Sequence, residues 1–391
     1  MNTTSQSQIK TSFYPAEKLM TKEVLTSAFN DALKKIDKLY SDMGTDFPSH
    51  ASINNVYQPV KNDNGWNTGF WCGMLWLAYE GTKDEKYRKM AESLLESFYI
   101  RIDKGLNIDH HDLGFLYVPS CVAAYKLTGN EDAKKAALKA AEHLMTRYRP
   151  EGGYIQAWGN VGESLRLIVD CMNNIPLLYW ASSVTGNEIY RQAAENHART
   201  TLKYILREDG STYHTYFFNE DGSPKCGTTH QGAYDDSCWA RGQAWLISGL
   251  PLTYNYVKDD SFIPLFEKTC NYFLNHLPND YVPYWDLVFN DGDGEEKDSS
   301  AGAIAACGIL QMLPNIKDEK LKDIYNQAAD KMMYSLYKNY STANDENSNG
   351  ILLHAVYGKP QNNGVDECNI WGDYYYTEAL LRMLKVTKAY W

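Results

Sequence analysis

The sequence predicts an all-α protein in which six helical hairpins close into an (α/α)6 barrel. Two observations predict it. Amphipathic segments alternate with segments that are apolar all round, and short polar links separate them at spacings of roughly 50 to 70 residues per pair. An amphipathic helix sits on the outside of a fold, whereas a helix apolar on every side belongs in an interior. Repeated pairs of that kind share one core by stacking, as a solenoid or a closed ring.

The outer candidates start near Thr21, Glu85, Glu131, Glu188, Asp260 and Asp318. KYRKMAESLLESFYIRI and DAKKAALKAAEHLMTRY carry apolar residues at i, i+3, i+4 and i+7 with charges between them. The inner candidates start near Thr68, Leu113, Cys171, Trp239, Ser300 and Asp373, and TGFWCGMLWLAYE and IPLLYWASSV are nearly apolar all round. The links EGTKDEKY, TGNEDA, TGNEIY, VKDDSF and IKDEKL combine Gly, Asn, Asp and Lys, the chemistry of a helix stop followed by an N-cap. The long first helix pairs with the last inner one, Tyr374 to Lys388, to close the ring. Two inserts, Ser211–Gln231 and Asp280–Asp298, read as irregular or β-like; STYHTYFFNEDGSPK, with its Asp-Gly turn, reads as a hairpin at the rim. No stretch has the composition of a linker, so residues 1–391 are expected to form a single catalytic domain.

Composition narrows the function. The chain has 391 residues, 44% hydrophobic and 22% charged, with ten Trp and thirty Tyr. Aromatics in such numbers either fill a core or offer flat, amphipathic faces to a ligand such as a sugar. A formal charge of −11 argues against a phosphate-tracking nucleic-acid surface and against gripping a long polyanion. A small acidic ligand met by local cations remains allowed. None of the eight cysteines has C-x-x-C spacing, so neither a zinc ribbon nor a thioredoxin-like motif is supported. The N-terminal MNTTSQSQIKTSF lacks the apolar core of a signal peptide, and no apolar run approaches membrane-spanning length. The expectation is a cytoplasmic protein, a monomer or weak homo-oligomer, with neither nucleic acid nor membrane as partner.

The chemistry gathers where the inner helices begin. The stretches NDNGWNTGFW, DHHDLGF, LIVDCMNN, DDSCWARGQAW, KDSSAGA and NIWGDYYYTEA bring Asp, Asn, Ser, Trp or Arg to those ends. Capping explains Asp, Asn and Ser but not Trp, Arg and Tyr. In a helical barrel these ends converge on one polar, aromatic cavity. Asp170 follows Leu167-Ile168-Val169, where burial raises a carboxyl pKa and suits a proton donor; otherwise it is an N-cap for a helix opening at Cys171. Asp112 is read as the cap of the helix at Leu113 and as Asp170's partner, since two carboxylates in unlike environments are the signature of acid/base work on sugars. His111 beside it is placed to meet a substrate oxygen. A metal site at His110-His111 is disfavoured, because neighbouring histidines diverge and no H-x-x-x-H or H-E-x-x-H pattern follows. Arg241, between Trp239 and Trp245, either meets a ligand anion or pairs with Asp235 or Asp236. His214, His230 and Gln231 are rim contacts or solvated loop residues, and Trp66, Trp158 and Trp371 either stack on sugars or pack.

The segments GWNTGFWCGMLWLAYE, DHHDLGFLY, IQAWG, IVDCMNNIPLLYWA, YHTYFF, THQG, WARGQAW, YWD, DSSAGAIAACG and IWGDYYYTEALLR, in this order, closely resemble the unsaturated glucuronyl hydrolases, family 88 of the glycoside hydrolases. The resemblance runs from about Val56 to Trp391. It implies an (α/α)6 barrel enzyme with neither metal nor cofactor. Its substrates would be small glycosaminoglycan disaccharides and oligosaccharides, from hyaluronan or chondroitin, left by lyases with a 4,5-unsaturated uronic acid at the non-reducing end. The reaction implied is hydration of a vinyl ether: an acid protonates C4, water adds at C5, and the hemiketal opens with loss of the glycosidic bond.

The same resemblance casts Asp170 as general acid/base and Asp112 as the second essential carboxylate. His214, Gln231, Arg241 and Trp245 match positions that bind substrate or position water, and Trp66, His111 and Trp158 match lining residues. The loop HAVYGKPQNNGVDECN departs from relatives that use Ser and Lys there for sulfated substrates: it offers Lys359, Gln361, Asn362 and Asn363 but no Ser, which argues against a sulfate preference. The rival readings are the sister activity on unsaturated rhamnogalacturonan products and a non-catalytic sugar-binding toroid.

Overall fold

The computed structural model describes residues 9–386 and 390–391. Along the chain, helix α1 (Lys22–Met43) lies outside, α2 (Thr68–Thr82) inside and α3 (Glu85–Asp103) outside. Next come α4 (Leu113–Tyr117) and α5 (Ala123–Thr128) inside, then α6 (Glu131–Met145) outside. Helix α7 (Pro176–Thr185) is inner and α8 (Glu188–Tyr204) outer; α9 (Ala240–Val257) is inner and α10 (Phe262–Asn275) outer. The last three are α11 (Ser299–Met312) inside, α12 (Glu319–Asn339) outside and α13 (Ile370–Leu384) inside. Each inner helix packs on the next, α2 on α4, α4 on α7, α7 on α9, α9 on α11, α11 on α13, and α13 returns to α2 with α1 against it. This is the (α/α)6 barrel.

The outer helices start where the sequence places caps. Thr21, Asp84, Asn130, Asn187 and Asp318 each accept a hydrogen bond from a first-turn N–H, which satisfies a donor the helix cannot. The inner helices are buried all round; in α11 every residue from Ser299 to Ile309 is shut from solvent.

Three boundaries differ from expectation. The second inner member is not one α-helix, because Val118–Val122 between α4 and α5 adopts a π-type turn. Pro119 there has no N–H to give, so the regular ladder is interrupted. The third opens at Pro176 rather than Cys171, since Val169–Asn173 forms a tight 3-10 turn and Pro176 suits the first helical position. The last opens at Ile370, before Asp373, because the Asn369 side chain accepts from the Gly372 N–H at 2.8 Å. The expected helix end at Lys388 and the first eight residues of the N-terminal segment lie outside the described residues.

The expected hairpin is present as strands Thr215–Phe218 and Pro224–Thr228. It gains an antiparallel third strand, Arg166–Ile168, that leads straight into Asp170. The Asp280–Asp298 insert is irregular apart from isolated bridges. A second hairpin, Ala355–Gly358 with Asn363–Glu367, was not predicted. Among the described residues no helix is long and apolar enough to cross a membrane, and the eight cysteines are free.

Close backbone contact between inner elements depends on missing side chains. A Cβ on Gly114, in α4, would lie 2.3 Å from the Asn174 Cα and 2.4 Å from its carbonyl oxygen. The N-terminus of α4 and the turn carrying Asp170 therefore touch main chain to main chain. Gly302 in α11 is different, since its Cβ would meet nothing closer than Pro283 Cδ at 3.5 Å. Gly114→Ala should thus lower stability by roughly 1–3 kcal/mol through overpacking, whereas Gly302→Ala should be neutral or stabilising by up to about 1 kcal/mol through helix propensity. Urea unfolding midpoints check both signs.

Candidate active site

Asp112 and Asp170 are released from the capping work that the sequence suggested for them. Asp112 precedes α4 but its side chain caps nothing there; the N–H of Phe115 goes instead to Asn174 Oδ1 at 2.8 Å. Asp170 lies inside the Val169–Asn173 turn, six residues before α7 begins, and makes no cap bond either. Both carboxylates are free to face the axis.

His111 joins them. Its ring is fully buried, and Nε2 stands 3.2 Å from Asp170 Oδ1 and 3.3 Å from Asp112 Oδ1. Burial opposes charge on His111, but the two carboxylates outweigh it and hold its pKa above the ordinary value. The carboxyls are pushed apart. Burial raises Asp170 well enough that the opposing pull of His111 does not cancel it, with Asp112's charge adding to the rise. At Asp112 burial acts upward too, yet His111, and then His110 and Asn174, hold it below the usual carboxylate range. Asp112 is the charged member and Asp170 the one that keeps its proton longer.

The two histidines diverge, as their adjacency predicts. His110 Nδ1 accepts from the Asp112 N–H at 3.1 Å, so its Nε2 carries the proton and donates to the Asn107 carbonyl at 3.0 Å. His111, Asp112 and Asp170 do bring three ligand atoms within 4.8 Å of one another, a donor set a divalent cation can use. The surroundings do not fit a metal. A ligating histidine donates its other ring N–H to an acceptor, and His111 Nδ1 has no partner among the described residues.

Buried arginines fix the loops around this trio. Arg147 reaches the carbonyls of Asp109, Gln156, Trp158 and Gly159, tying the DHHD loop to IQAWG. Arg101 reaches those of Gly65 and Asn107, tying the same loop to GWNTG. Trp158, held with φ at 45°, turns its ring to the edges of His111 at 6.2 Å and His214 at 5.7 Å. His214 Nδ1 accepts from the N–H groups of His230 and Gln231 at 3.1 and 3.3 Å, which fixes the Nε2–H tautomer. Burial, then the charges of His230 and Arg241, push its pKa well below the ordinary value. It is a neutral donor whose Nε2–H finds no protein acceptor among the described residues. Gln231 donates to the Tyr357 carbonyl at 2.6 Å.

Arg241 corrects the sequence reading. Its partner is neither Asp235 nor Asp236 but Asp298, at 2.7 Å, with the carbonyls of Val356 and Tyr357 completing its hydrogen bonds. The guanidinium lies between the Trp239 and Trp371 rings and is 2% exposed. It braces the second hairpin against α9 while its charge is felt by Asp170. Trp245 and Trp371, expected among the substrate-binding residues, are enclosed: Trp245 is 1% exposed against Phe115 and Tyr375, and Trp371 is 0% exposed with its indole N–H on Ser300 Oγ. Neither offers a free face to a sugar, because both fill the wall behind the cavity. Trp66 is only partly buried, stacks near Trp371 at 5.0 Å and donates to the Tyr357 hydroxyl at 3.0 Å.

Sequence reasoning missed Tyr357, Asp298 and Asn174. Tyr357, Trp158, His230, Gln231, Gly358, Gln361 and Asn363 line a cavity of about 180 Å³ at the mouth. A larger cavity of about 900 Å³, around Lys10, Phe13, Tyr272 and Asp291, contains none of the expected site residues.

Residues 35–390 match the family model Glycosyl Hydrolase Family 88. The chain belongs to this family. It is 47% identical over 379 residues to the unsaturated chondroitin disaccharide hydrolase of Streptococcus pneumoniae (strain ATCC BAA-255 / R6), covering 95% of each chain. Its fold matches the crystal structure of unsaturated glucuronyl hydrolase from Streptococcus agalactiae with a TM-score of 0.96 at 44% identity, each chain covered fully. An Asp-to-Asn mutant of that enzyme, complexed with dGlcA-GalNAc6S, matches with a TM-score of 0.89 at 42% identity, again over 100% of both chains. This family 88 chain is accordingly a glycoside hydrolase.

The orphaned second nitrogen of His111 leads to a result that needs no substrate. Elemental analysis of the purified protein should find first-row transition metals only at substoichiometric levels. One ion per chain that is lost on His111→Gln would place a metal in the trio instead.

Proposed function

We propose that this glycoside hydrolase releases 4,5-unsaturated uronic acid from the non-reducing end of lyase-generated glycosaminoglycan disaccharides and short oligosaccharides. One observation carries the reading: two carboxyls share one histidine in a buried site and are pushed in opposite directions, Asp170 up and Asp112 down. That division suits a reaction needing a carboxylic acid and a carboxylate side by side. The relative that carries dGlcA-GalNAc6S and the relatives named for unsaturated chondroitin disaccharides support the substrate class.

Protonated Asp170 delivers its proton to C4 of the vinyl ether. Positive charge develops at C5 and the ring oxygen, where the Asp112 carboxylate stabilises it. Water adds at C5 and gives a proton to the Asp170 carboxylate, restoring the acid. The hemiketal then opens and the glycosidic bond is lost. His111 holds the two carboxyls in register, His214 offers its free N–H to a sugar oxygen, and Trp66, Trp158 and Gln231 line the approach. Arg241, Trp245 and Trp371 act from behind the wall. Residues 1–391 serve as one catalytic domain, and eight free cysteines, seven of them buried, support action in a reducing cytoplasm.

Asp170→Asn should fold normally yet lose activity by at least 100- to 10,000-fold, the share general acid/base catalysis supplies. Loss of the conjugated double-bond absorbance of unsaturated chondroitin disaccharide measures it, and near-normal turnover contradicts the role.

The pH profile tests the coupling. Asp170 works protonated, so kcat/KM falls as pH rises through its elevated pKa. Asp112→Asn removes a like charge that raises Asp170, so the residual activity's alkaline limb should move to lower pH. His111→Gln removes the charge that lowers Asp170, so that limb should move to higher pH. Shifts of the same sign in both variants would rule out this arrangement.

A further inference from the structure

The cations around the mouth are nearly all neutralised within the protein. Arg241 pairs with Asp298, Lys297 with Asp280 and Lys359 with Glu296. Arg147 has no acid within ion-pair distance among the described residues but is held by four backbone carbonyls. Arg166 is different. Its guanidinium lies over the Trp158 ring at 4.7 Å and the Phe217 ring at 5.2 Å, half-buried between them. Among the described residues it has no acidic partner within ion-pair distance and its side chain donates no hydrogen bond, while its Nε is buried without a partner. Strand pairing sets this position, since Arg166 is opposite Phe217 in the three-stranded sheet.

A guanidinium stacked on aromatic faces keeps its forked N–H edge open to a planar or tetrahedral anion. Leaving it half-buried and unpaired is costly, and burial does depress its pKa. In a chain of formal charge −11 this unpaired edge is an attractive point for a negative group on a ligand.

The position decides which negative group. In the proposed reaction the uronate carboxylate is borne on C5, one carbon from the C4 that Asp170 protonates, so that anion belongs beside Asp170. Asp170 feels His111, Asp112 and Arg241. Arg166 instead lies over the Trp158 ring at 4.7 Å, and Trp158 with His230 lines the cavity at the mouth. The Trp158 ring, with His111 at 6.2 Å and Arg166 at 4.7 Å, therefore links the catalytic trio to Arg166, and what reaches Arg166 is a substituent of the next sugar. We propose that Arg166 binds a sulfate ester on the sugar following the unsaturated uronate, making it a specificity-determining residue. This rests on the proposed reaction and does not involve the 354–369 loop, whose Lys359 is already paired with Glu296.

The test compares Arg166→Gln and Arg166→Lys with the parent enzyme on unsaturated chondroitin disaccharides, unsulfated and O-sulfated, by loss of ultraviolet absorbance. Losing a charge-assisted contact should cost Arg166→Gln about tenfold to a hundredfold in kcat/KM on the sulfated disaccharide, through KM. The unsulfated substrate should change less than about twofold. Arg166→Lys, which keeps the charge without the fork, should fall between. Free inorganic sulfate should inhibit the parent competitively and Arg166→Gln much less, a readout that a structural role would not move. An unchanged sulfated-to-unsulfated ratio in Arg166→Gln, whether both rates fall or neither does, overturns the assignment. A parent enzyme that leaves both disaccharides intact would count against the proposed reaction instead.

Discussion

Two carboxyls confined to one buried cavity repel each other unless a cation or a proton stands between them, and in this barrel that place is taken by the Nε2 of His111. Its 3.2 and 3.3 Å contacts to Asp170 and Asp112 draw both acids down, and the further help of His110 and Asn174 makes Asp112 the charged member. The geometry around it serves that shared nitrogen. Gly114 lets α4 press against the turn that carries Asp170, and Asn174 takes the helix-end N–H that Asp112 would otherwise cap. A side chain at Gly114 or a different residue at Asn174 would disturb the acid pair without touching it.

The barrel contributes convergence, and the arginines contribute rigidity. Six inner helix starts point at one mouth, but their loops are long and irregular, and helix packing alone would leave them loose. Arg101, Arg147 and Arg241 fasten them by fully buried guanidinium groups directed mainly at backbone carbonyls. Carbonyl partners hold a cation without adding a second full negative charge near the acids. Such a brace changes the field at Asp170 less than three more carboxylates would.

Much of this was legible in the sequence. Helix positions followed from periodicity and caps, because inner and outer helices differ in their whole circumference. Asp112 and Asp170 stood out because an acid among apolar residues is costly and local in sequence. Partners far along the chain were not legible: Asp298 is 57 residues from Arg241, and the nearby Asp235 and Asp236 looked equally suitable. Tyr357 lies in a hairpin with weak alternation beside an apparent loop, so nothing local marked it. Trp245 and Trp371 illustrate another limit, since an aromatic at a helix start reads the same whether it faces a ligand or backs the wall. The solitary state of Arg166 is likewise visible only once the cations around the mouth are traced to their partners.

The order in which the two acids lose their protons is the most direct test. Carbon-13 NMR of aspartate-labelled protein, with the two signals assigned from Asp112→Asn and Asp170→Asn, would follow both carboxyls across pH in the parent enzyme. Because the pair is coupled, the sequence of the two steps matters more than either midpoint. The structure predicts that Asp112 ionises first and Asp170 second, with both steps moving to higher pH in His111→Gln. Asp170 ionising first, or two steps indifferent to the loss of His111, would contradict the account.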